Sequence, residues 1–190
     1  MMISMIKKFI ALLIFILMIP VYLILSLVVI INDGFPLLYK QKCYGKNNKV
    51  FNLLKFRTMG KNTPQIPTEE FTENHSSKYL LSYSSFFRNL SLDELPQIYN
   101  VIKGDINFVG PRPCMFSNEE ILNELREKKG INTIKPGITG WAQINGRDQN
   151  SFKEKAEFDY YYYKNRNMLL DLYIIYKTFS VVLLRKNIKH

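Results

Sequence analysis

The chain has 190 residues, a formal net charge of +10 at pH 7, two cysteines and two histidines. Cys43 and Cys114 are far apart and match no metal-ligand spacing, so a structural zinc site and histidine-based catalysis are both disfavoured. The sequence also lacks the phosphate-binding G-x-x-x-x-G-K-[ST] loop, the dinucleotide-binding G-x-G-x-x-G turn and the G-x-S-x-G nucleophile elbow. What remains is a basic protein suited to nucleic acid, anionic lipid or phosphorylated substrates.

The first predicted element is a membrane-embedded helix within residues 1–32. Residues 9–31 carry no charge, and this run exceeds the roughly 20 residues that a helix needs to cross a bilayer. Pro20 lies near its middle, where proline removes a hydrogen bond and bends the helix. Basic residues flank both ends, and the positive-inside tendency draws both towards the cytoplasm. A re-entrant helix-hairpin broken at Pro20 satisfies both ends, and a bitopic helix with a mild kink is the alternative.

Residues 33–190 are predicted to form one small cytoplasmic domain of the α+β class, mainly helical. A strand is expected over residues 50–59, where alternation places Lys55 and Arg57 on one face. A polar loop with two prolines follows over residues 60–77. A glycine-rich loop and strand occupies residues 135–147, and helices are predicted over 78–90, 93–103, 118–129, 151–165 and 168–184.

The last two predicted helices fit two environments. Residues 160–163 are four consecutive tyrosines, and the apolar helix 168–184 closes with basic residues. Tyrosine favours the membrane interface, and an apolar helix with a basic end can lie in it. Packing in the protein core is the alternative, and the sequence leaves both open.

The adjacent carboxylates of Asp93 and Glu94 are the candidate catalytic groups. Ser91 and Glu94 match the S-x-x-E capping box, which would make this segment an ordinary helix start. Pro96 opposes that reading, because it falls at the fifth helical position if Ser91 is the cap but harmlessly at the third if Asp93 is. A carboxylate at a helix start lies beside N–H groups that attract phosphate, and it can attack phosphorus to form an acyl phosphate.

Several basic residues are candidates for holding the phosphate groups. Arg112 stands between two prolines, so its loop is stiff, and a guanidinium binds phosphate with two hydrogen bonds. Arg88 precedes the acidic pair, and Arg147 follows an Asn-Gly dipeptide. Lys55 and Arg57 give a weaker signal, because basic residues on exposed strands are common. Each of the five could instead be an ordinary solvated side chain.

A divalent cation would assist transfer between phosphates by bridging diphosphate oxygens. Mg²⁺ prefers carboxylate and water ligands, which makes Glu94 the candidate metal ligand. Asp105, Asp159 and Asp171 are further carboxylates with less support.

In this order the motifs resemble the bacterial sugar transferase family, the monotopic phosphoglycosyl transferases that act as polyprenyl-phosphate sugar-1-phosphate transferases. The resemblance covers nearly the whole chain. In length the chain is similar to the small, minimal members of the family. The matching stretches are residues 55–59, 91–105, 107–113, 135–147, 161–165 and 170–172. The family's re-entrant helix is broken at Ser-Pro, where this chain has Ile19-Pro20, so here the break depends on proline alone.

The resemblance implies an enzyme of the bacterial cytoplasmic membrane with its catalytic domain on the cytoplasmic face. The carboxylate at Asp93 would attack the β-phosphorus of a UDP-sugar, release UMP and hold the sugar phosphate covalently. Undecaprenyl phosphate or another polyprenyl phosphate would then accept it, in the first membrane step of capsule, O-antigen or glycoprotein glycan assembly. Glu94 would complete the acidic pair, Mg²⁺ would be required, and Arg88, Arg112 and Arg147 would contact phosphate.

Membrane lipid is a further expected partner, nucleic acid is not, and a homodimer is one possible assembly. No nucleic-acid recognition motif accompanies the basic charge. The alternative function is a non-catalytic, membrane-anchored basic module that binds anionic lipid or a partner enzyme. The acidic pair among several arginines argues against this alternative, because headgroup binding does not need it.

Overall fold

The computed structural model describes residues 2–61, 63, 79–116, 118–146 and 150–183. It mixes helix and sheet and is mostly helical, which agrees with the predicted class. The helices are α1 (Met2–Leu17), α2 (Ile19–Asp33), α3 (Ser84–Asn89), α4 (Gln97–Lys103), α5 (Glu120–Lys128), α6 (Trp141–Ile144), α7 (Phe152–Asn165) and α8 (Met168–Leu183). The strands are β1 (Leu38–Tyr44), β2 (Val50–Phe56), β3 (Asn107–Val109), β4 (Cys114–Met115) and β5 (Gly137–Thr139).

The chain divides into two compact units. The first contains Met1–Gln41 and Leu53–Ile102, and the second contains Lys42–Asn52 and Lys103–Lys189. The predicted division into a membrane part, 1–32, and a cytoplasmic part, 33–190, concerns the bilayer and stays a prediction.

In the first unit, the apolar N-terminal run is bent into two helices. Among the described residues no single helix is long and apolar enough to cross a bilayer, but Met5–Leu17 and Ile19–Asp33 meet that criterion together, with a 60° bend between them. Pro20 lies in the first turn of α2, where its missing N–H is tolerated. Phe15 and Tyr22 pack across the bend with ring centroids 5.1 Å apart.

One side of α2 belongs to the core of the first unit. Leu25 and Val29 are buried against Phe56, Tyr83 and Phe87. The opposite side of α2 exposes large apolar side chains, among them Leu23, Ile24, Leu27 and Ile31. The helix is thus shared between the protein core and an apolar surface.

Two predicted elements of the first unit are shorter than expected. The strand predicted over 50–59 ends at Phe56, and Met59 pairs with Leu80 in an isolated antiparallel bridge. Leu80 takes part in that bridge, and within the described part of the helix predicted over 78–90, the continuous helix runs from Ser84 to Asn89. Leu80, an apolar residue that the sequence pattern assigned to a helix, therefore pairs with Met59 as in a β-sheet.

The second unit contains two small pairings between distant segments. Strands β1 and β4 are antiparallel, with Cys43 opposite Met115 and Tyr44 opposite Cys114, and β2, β1 and β4 follow in that order in one sheet. Strands β3 and β5 are parallel, with Asn107 opposite Gly137.

Helices α5, α7 and α8 contribute buried apolar side chains to the second unit. Tyr162 and Ile174 are buried with Val109, and Leu122 is buried with Cys114 and Ala156. The four tyrosines are split, because Tyr162 is buried while Tyr161 is exposed and stacks on Trp141 at 4.9 Å. Helix α8 exposes an apolar face formed by Met168, Leu169, Leu172, Tyr176 and Phe179. Both the core and the surface interpretation therefore apply, to different residues, and contact with a membrane stays a prediction.

Candidate active site

The acidic pair lies in a tight turn that precedes a helix, rather than in the helix itself. Leu92–Glu94 forms one turn of 3-10 helix, closed by bonds from Glu94 N to Ser91 O and from Leu95 N to Leu92 O. Helix α4 starts only at Gln97, so neither Ser91 nor Asp93 caps it as predicted. Pro96 explains the difference, because it directly precedes α4, where its missing N–H disrupts no bond.

The backbone at Ser91 fixes the direction of this turn. Ser91 has a φ of 53° and makes no side-chain cap bond, so the capping-box interpretation is wrong for this segment.

Asp93 is only 9% exposed, although it is an acidic residue. A charge kept away from water needs compensating charge or hydrogen bonds nearby.

Lys55 supplies positive charge on one side of the acidic pair. Its Nζ lies 3.9 Å from Glu94 Oε1, and both side chains are largely buried. Asn100 of α4 accepts a hydrogen bond from Leu54 N at 3.0 Å, which ties α4 to the strand that carries Lys55. The structure therefore brings together Lys55 and Glu94, two residues that the sequence proposed separately.

Arg88 is a second basic residue whose charge is felt at the acidic pair. Its Nε donates to Thr58 Oγ1 at 3.1 Å, at the C-terminal end of the short helix α3. Burial lowers the pKa of the Arg88 guanidinium, and the negative charge of Asp93 acts in the opposite direction. The charges of Arg88 and Asp93 therefore influence each other, and the predicted roles of both residues towards phosphate stay predictions.

The guanidinium of Arg57 binds the C-terminal end of α2. Its Nη1 lies 2.6 Å from Asp33 Oδ2, and its Nη2 donates to the carbonyl oxygens of Asp33 and Gly34. Its contacts in the structure are those of a buried arginine that joins two segments, and its predicted contact with phosphate stays a prediction.

Helix α2 also contacts the acidic turn directly. The Tyr22 hydroxyl donates to the Leu95 carbonyl at 3.0 Å, one residue after Glu94. Leu92 and Leu95 pack against the core that contains Leu25 and Val29. The N-terminal helix pair is therefore part of the support of the candidate site.

In the second unit, a buried arginine binds the backbone of the loop that carries Arg112. Arg126 Nη1 donates to the Arg112 carbonyl at 2.8 Å, and Arg126 Nε donates to Asp159 Oδ2 at 2.9 Å. Burial alone would lower the pKa of Arg126, but the Asp159 carboxylate raises it above its usual value. A permanently charged buried arginine thus holds the backbone of the Pro-Arg-Pro loop.

Glycines on the neighbouring strands allow the backbones to approach. A side chain at Gly140 would collide with the Gly110 carbonyl, and one at Gly137 with the Gly110 amide. This contact explains why glycines appear both before the Pro-Arg-Pro loop and in the 135–147 segment. Arg147, the remaining predicted phosphate contact, lies outside the described residues.

The acidic turn contains Glu94, the carboxylate that the sequence predicts as a Mg²⁺ ligand. Within the described parts of the chain, no three His, Cys, Asp or Glu side chains come together as a metal cluster. Mg²⁺ commonly takes one or two carboxylates and fills its other positions with water and phosphate oxygens, so the Glu94 carboxylate suits it chemically, and its role as a metal ligand stays a prediction. The other carboxylates have different contacts: Asp105 pairs with Lys103, Asp159 with Arg126, and Asp171 accepts from Tyr162.

Three residues that contact predicted site residues or their segments were not predicted from the sequence: Thr58 and Tyr22 in the first unit, and Arg126 in the second. Each acts through a contact with a residue far along the chain, which local pattern does not reveal. Thr58 lies in the segment Lys55-Phe56-Arg57-Thr58-Met59, of which only Lys55 and Arg57 were predicted to take part in the site.

Comparison with known proteins gives a consistent set of matches. The family model described as bacterial sugar transferase matches residues 1–185. An "uncharacterized sugar transferase EpsL" of Bacillus subtilis is 38% identical over 170 residues, covering 85% of this chain and 77% of the relative. An "undecaprenyl-phosphate galactose phosphotransferase" of Salmonella typhimurium is 34% identical, covering 81% of this chain and 35% of the relative.

A third relative is named for a different sugar. The "UDP-N-acetylgalactosamine-undecaprenyl-phosphate N-acetylgalactosaminephosphotransferase" of Aeromonas hydrophila is 32% identical over 168 residues, covering 86% of this chain and 39% of the relative. The chain therefore spans most of the smaller relative and little more than a third of these two larger ones.

Proposed function

The chain belongs to the bacterial sugar transferase family, and from this we propose that it transfers a sugar 1-phosphate from a UDP-sugar to a polyprenyl phosphate. Two of its relatives are named for transfer to undecaprenyl phosphate, and one of those names specifies a UDP-sugar. The observation that carries the proposal is the acidic turn, with Asp93 buried and Glu94 beside Lys55. A site for diphosphate chemistry needs such a nucleophile among cations.

Asp93 is the proposed nucleophile. One of its carboxylate oxygens forms a bond to the β-phosphorus of the UDP-sugar, and the bond from that phosphorus to the bridging oxygen breaks. UMP leaves with the electron pair, and the sugar phosphate stays on Asp93 as an acyl phosphate. A phosphate oxygen of the polyprenyl phosphate then attacks the same phosphorus, which frees the Asp93 carboxylate and yields the lipid diphosphosugar.

The neighbouring residues have separate proposed roles. Arg88 and Lys55 offset negative charge as the donor approaches, Arg112 contacts phosphate from its stiff loop, and Glu94 is the residue that would hold Mg²⁺. Mg²⁺, when bound, would neutralise charge on the diphosphate.

The proposed location is the cytoplasmic face of the bacterial membrane. The bent apolar pair α1–α2 and the exposed apolar face of α8 are surfaces that a bilayer interface would cover. The polyprenyl acceptor is itself a membrane lipid, so an enzyme placed there meets it directly.

Release of UMP from a panel of UDP-sugars tests the proposal. The purified full chain is incubated with each donor, first without and then with undecaprenyl phosphate. We expect about one UMP per enzyme without acceptor and continued turnover with it, because a covalent intermediate accumulates until acceptor removes it. Mass spectrometry of the Asp93 peptide should show the added sugar phosphate.

Two variants complete the test. Asp93→Asn should abolish both the first UMP and the modified peptide, whereas Glu157→Gln, which removes an exposed carboxylate, should leave both unchanged. Steady turnover that begins only when acceptor is present, with no modified peptide, would instead indicate direct transfer. The non-catalytic alternative predicts no UMP from any donor.

A further inference from the structure

The side chain of Thr58 accepts a hydrogen bond from the guanidinium of Arg88. Thr58 lies two residues beyond β2 and is 7% exposed, and its Oγ1 accepts the Arg88 Nε hydrogen at 3.1 Å. A guanidinium has one hydrogen on Nε and four on its terminal nitrogens. Engaging Nε fixes the plane of the group and leaves the terminal hydrogens to face oxyanions.

The Thr58 backbone is itself held firmly. Its carbonyl accepts hydrogen bonds from Leu81 N and from the Ser84 hydroxyl, and the preceding carbonyl, of Arg57, accepts from the Tyr83 hydroxyl at 2.8 Å. Tyr83 and Ser84 are both buried. Two successive carbonyls are therefore fixed by the segment that leads into α3, the same helix that carries Arg88.

The two neighbouring side chains point to different partners. The guanidinium of Arg57 binds the end of α2, whereas the hydroxyl oxygen of Thr58 accepts a hydrogen bond from Nε of Arg88. Arg88 in turn interacts electrostatically with Asp93. One short segment thus connects the N-terminal helix pair with the arginine beside the candidate nucleophile.

We infer that Thr58 is a positioning residue, whose hydroxyl orients Arg88 towards the phosphate groups of the donor. This inference rests on the proposed function, because it gives Arg88 a phosphate to bind. Holding a charged group in a productive orientation before substrate arrives lowers the cost of stabilising charge in the transition state. Thr58 does this through Arg88 and does not itself contact the substrate.

The test uses the isosteric change Thr58→Val, which removes the acceptor and keeps the side-chain shape. We expect kcat/KM for the UDP-sugar to fall about tenfold, the size of one hydrogen bond to a charged group. Thr58→Ser keeps the hydroxyl and should restore activity to within about twofold of the original. A purely structural role would lower stability without this rescue pattern in kcat/KM.

A double-mutant comparison separates positioning from general damage. Lysine has no Nε–H equivalent, so in an Arg88→Lys background Thr58→Val should change kcat/KM by less than about twofold. If the two changes instead multiply, or if Thr58→Val alone has no effect, the inference is wrong.

A measurement without substrate keeps the inference independent of the proposed function. The Arg88 Nε–H should exchange slowly with solvent in the original chain and in Thr58→Ser, and rapidly in Thr58→Val. If no UDP-sugar reacts but this pattern holds, the proposed function fails while the positioning contact stands. Equal exchange in all three proteins overturns the inference.

Discussion

At the residue scale, the buried Arg126–Asp159 pair joins stability to the placement of Arg112. Arg126 is 5% exposed and Asp159 is fully buried, so both charges depend on each other. Removing one partner of such a pair leaves an uncompensated charge, whereas replacing both with apolar residues is often tolerated. Replacing Arg126 alone and replacing Arg126 together with Asp159 should therefore differ in their effect on stability.

We expect Arg126→Met to lower the free energy of unfolding by about 3–5 kcal/mol, because it strands the Asp159 carboxylate. The double change Arg126→Met with Asp159→Leu should recover most of this loss in chemical denaturation. It should still impair turnover, because the Arg112 carbonyl has lost its Arg126 donor. Full activity in the stable double variant would show that this hydrogen bond does not position Arg112.

Cys114 provides a second prediction at the same scale. Burial raises the pKa of its thiol to about 12, and Arg126 opposes the shift only partly. The thiol thus stays protonated at pH values where an ordinary cysteine ionises, and only the thiolate reacts with iodoacetamide. Its contribution to stability is complete below the ordinary pKa near 9 and is lost as the pH rises towards 12.

In a Cys43→Ala background, alkylation of Cys114 at pH 9.5 should be far slower in the folded chain than in denaturant. An exposed control cysteine, introduced by Glu124→Cys, should react rapidly in both states. Labelling of Cys114 at the rate of the control would show that the thiol is neither buried nor raised in pKa. Mass spectrometry of the two peptides gives both rates in one sample.

At the element scale, local signals predicted some parts of the fold well and missed others. Helix α7 begins where predicted because Ser151 and Glu154 form a complete capping box within four residues. The acidic turn was misassigned although Ser91 and Glu94 match the same S-x-x-E pattern. Pro96 lacks an N–H for a helix begun at Ser91, and the helix begins after it, at Gln97.

The short strands show the opposite case. Strands β3 and β5, of three residues each, are defined by pairing between distant segments, which local periodicity cannot reveal. A turn signal did exist between β1 and β2, where Asn47 and Asn48 both have positive φ, as asparagines in hairpin turns often do. Asp93, Glu94 and Lys55 could be chosen from residue type and order, but Thr58 and Tyr22 required the tertiary contacts.

The bend between α1 and α2 provides the prediction for this scale. With Pro20→Ala, α1 and α2 should join into one straight helix, because the alanine N–H can bond the carbonyl four residues earlier, which proline cannot do. A straight apolar helix of this length favours crossing the bilayer. We expect the N-terminus to move to the opposite side of the membrane from the rest of the chain.

Labelling with a membrane-impermeant maleimide measures this change. A cysteine introduced by Met5→Cys reports the N-terminus, and one introduced by Glu124→Cys reports the second unit; both native positions are exposed. The two sites should label from the same side in the original chain and from opposite sides with Pro20→Ala. Ile19→Ala, which keeps the proline, is the matched control, and same-side labelling in all variants would contradict the prediction.

At the scale of the whole molecule, charge and apolar surface make separate contributions to membrane binding. The chain has a net charge of +10, and α2 and α8 expose large apolar side chains. Attraction of basic residues to anionic lipid is screened by salt, whereas burial of apolar side chains is not. Salt therefore separates the two contributions.

We expect co-flotation of the full chain with vesicles of phosphatidylglycerol and phosphatidylcholine to weaken as salt rises from about 0.1 M to about 1 M, where the Debye length falls from about 10 Å to about 3 Å. Binding to phosphatidylcholine alone should be weaker and nearly independent of salt, because only the apolar surfaces contribute.

Asp93→Asn should bind both vesicles like the original chain and yet release no UMP. That combination would separate the enzyme from a lipid-binding module, since the module predicts the same flotation but no UMP from either protein. Equal flotation with both lipids at every salt concentration would mean that the net positive charge does not act at the membrane.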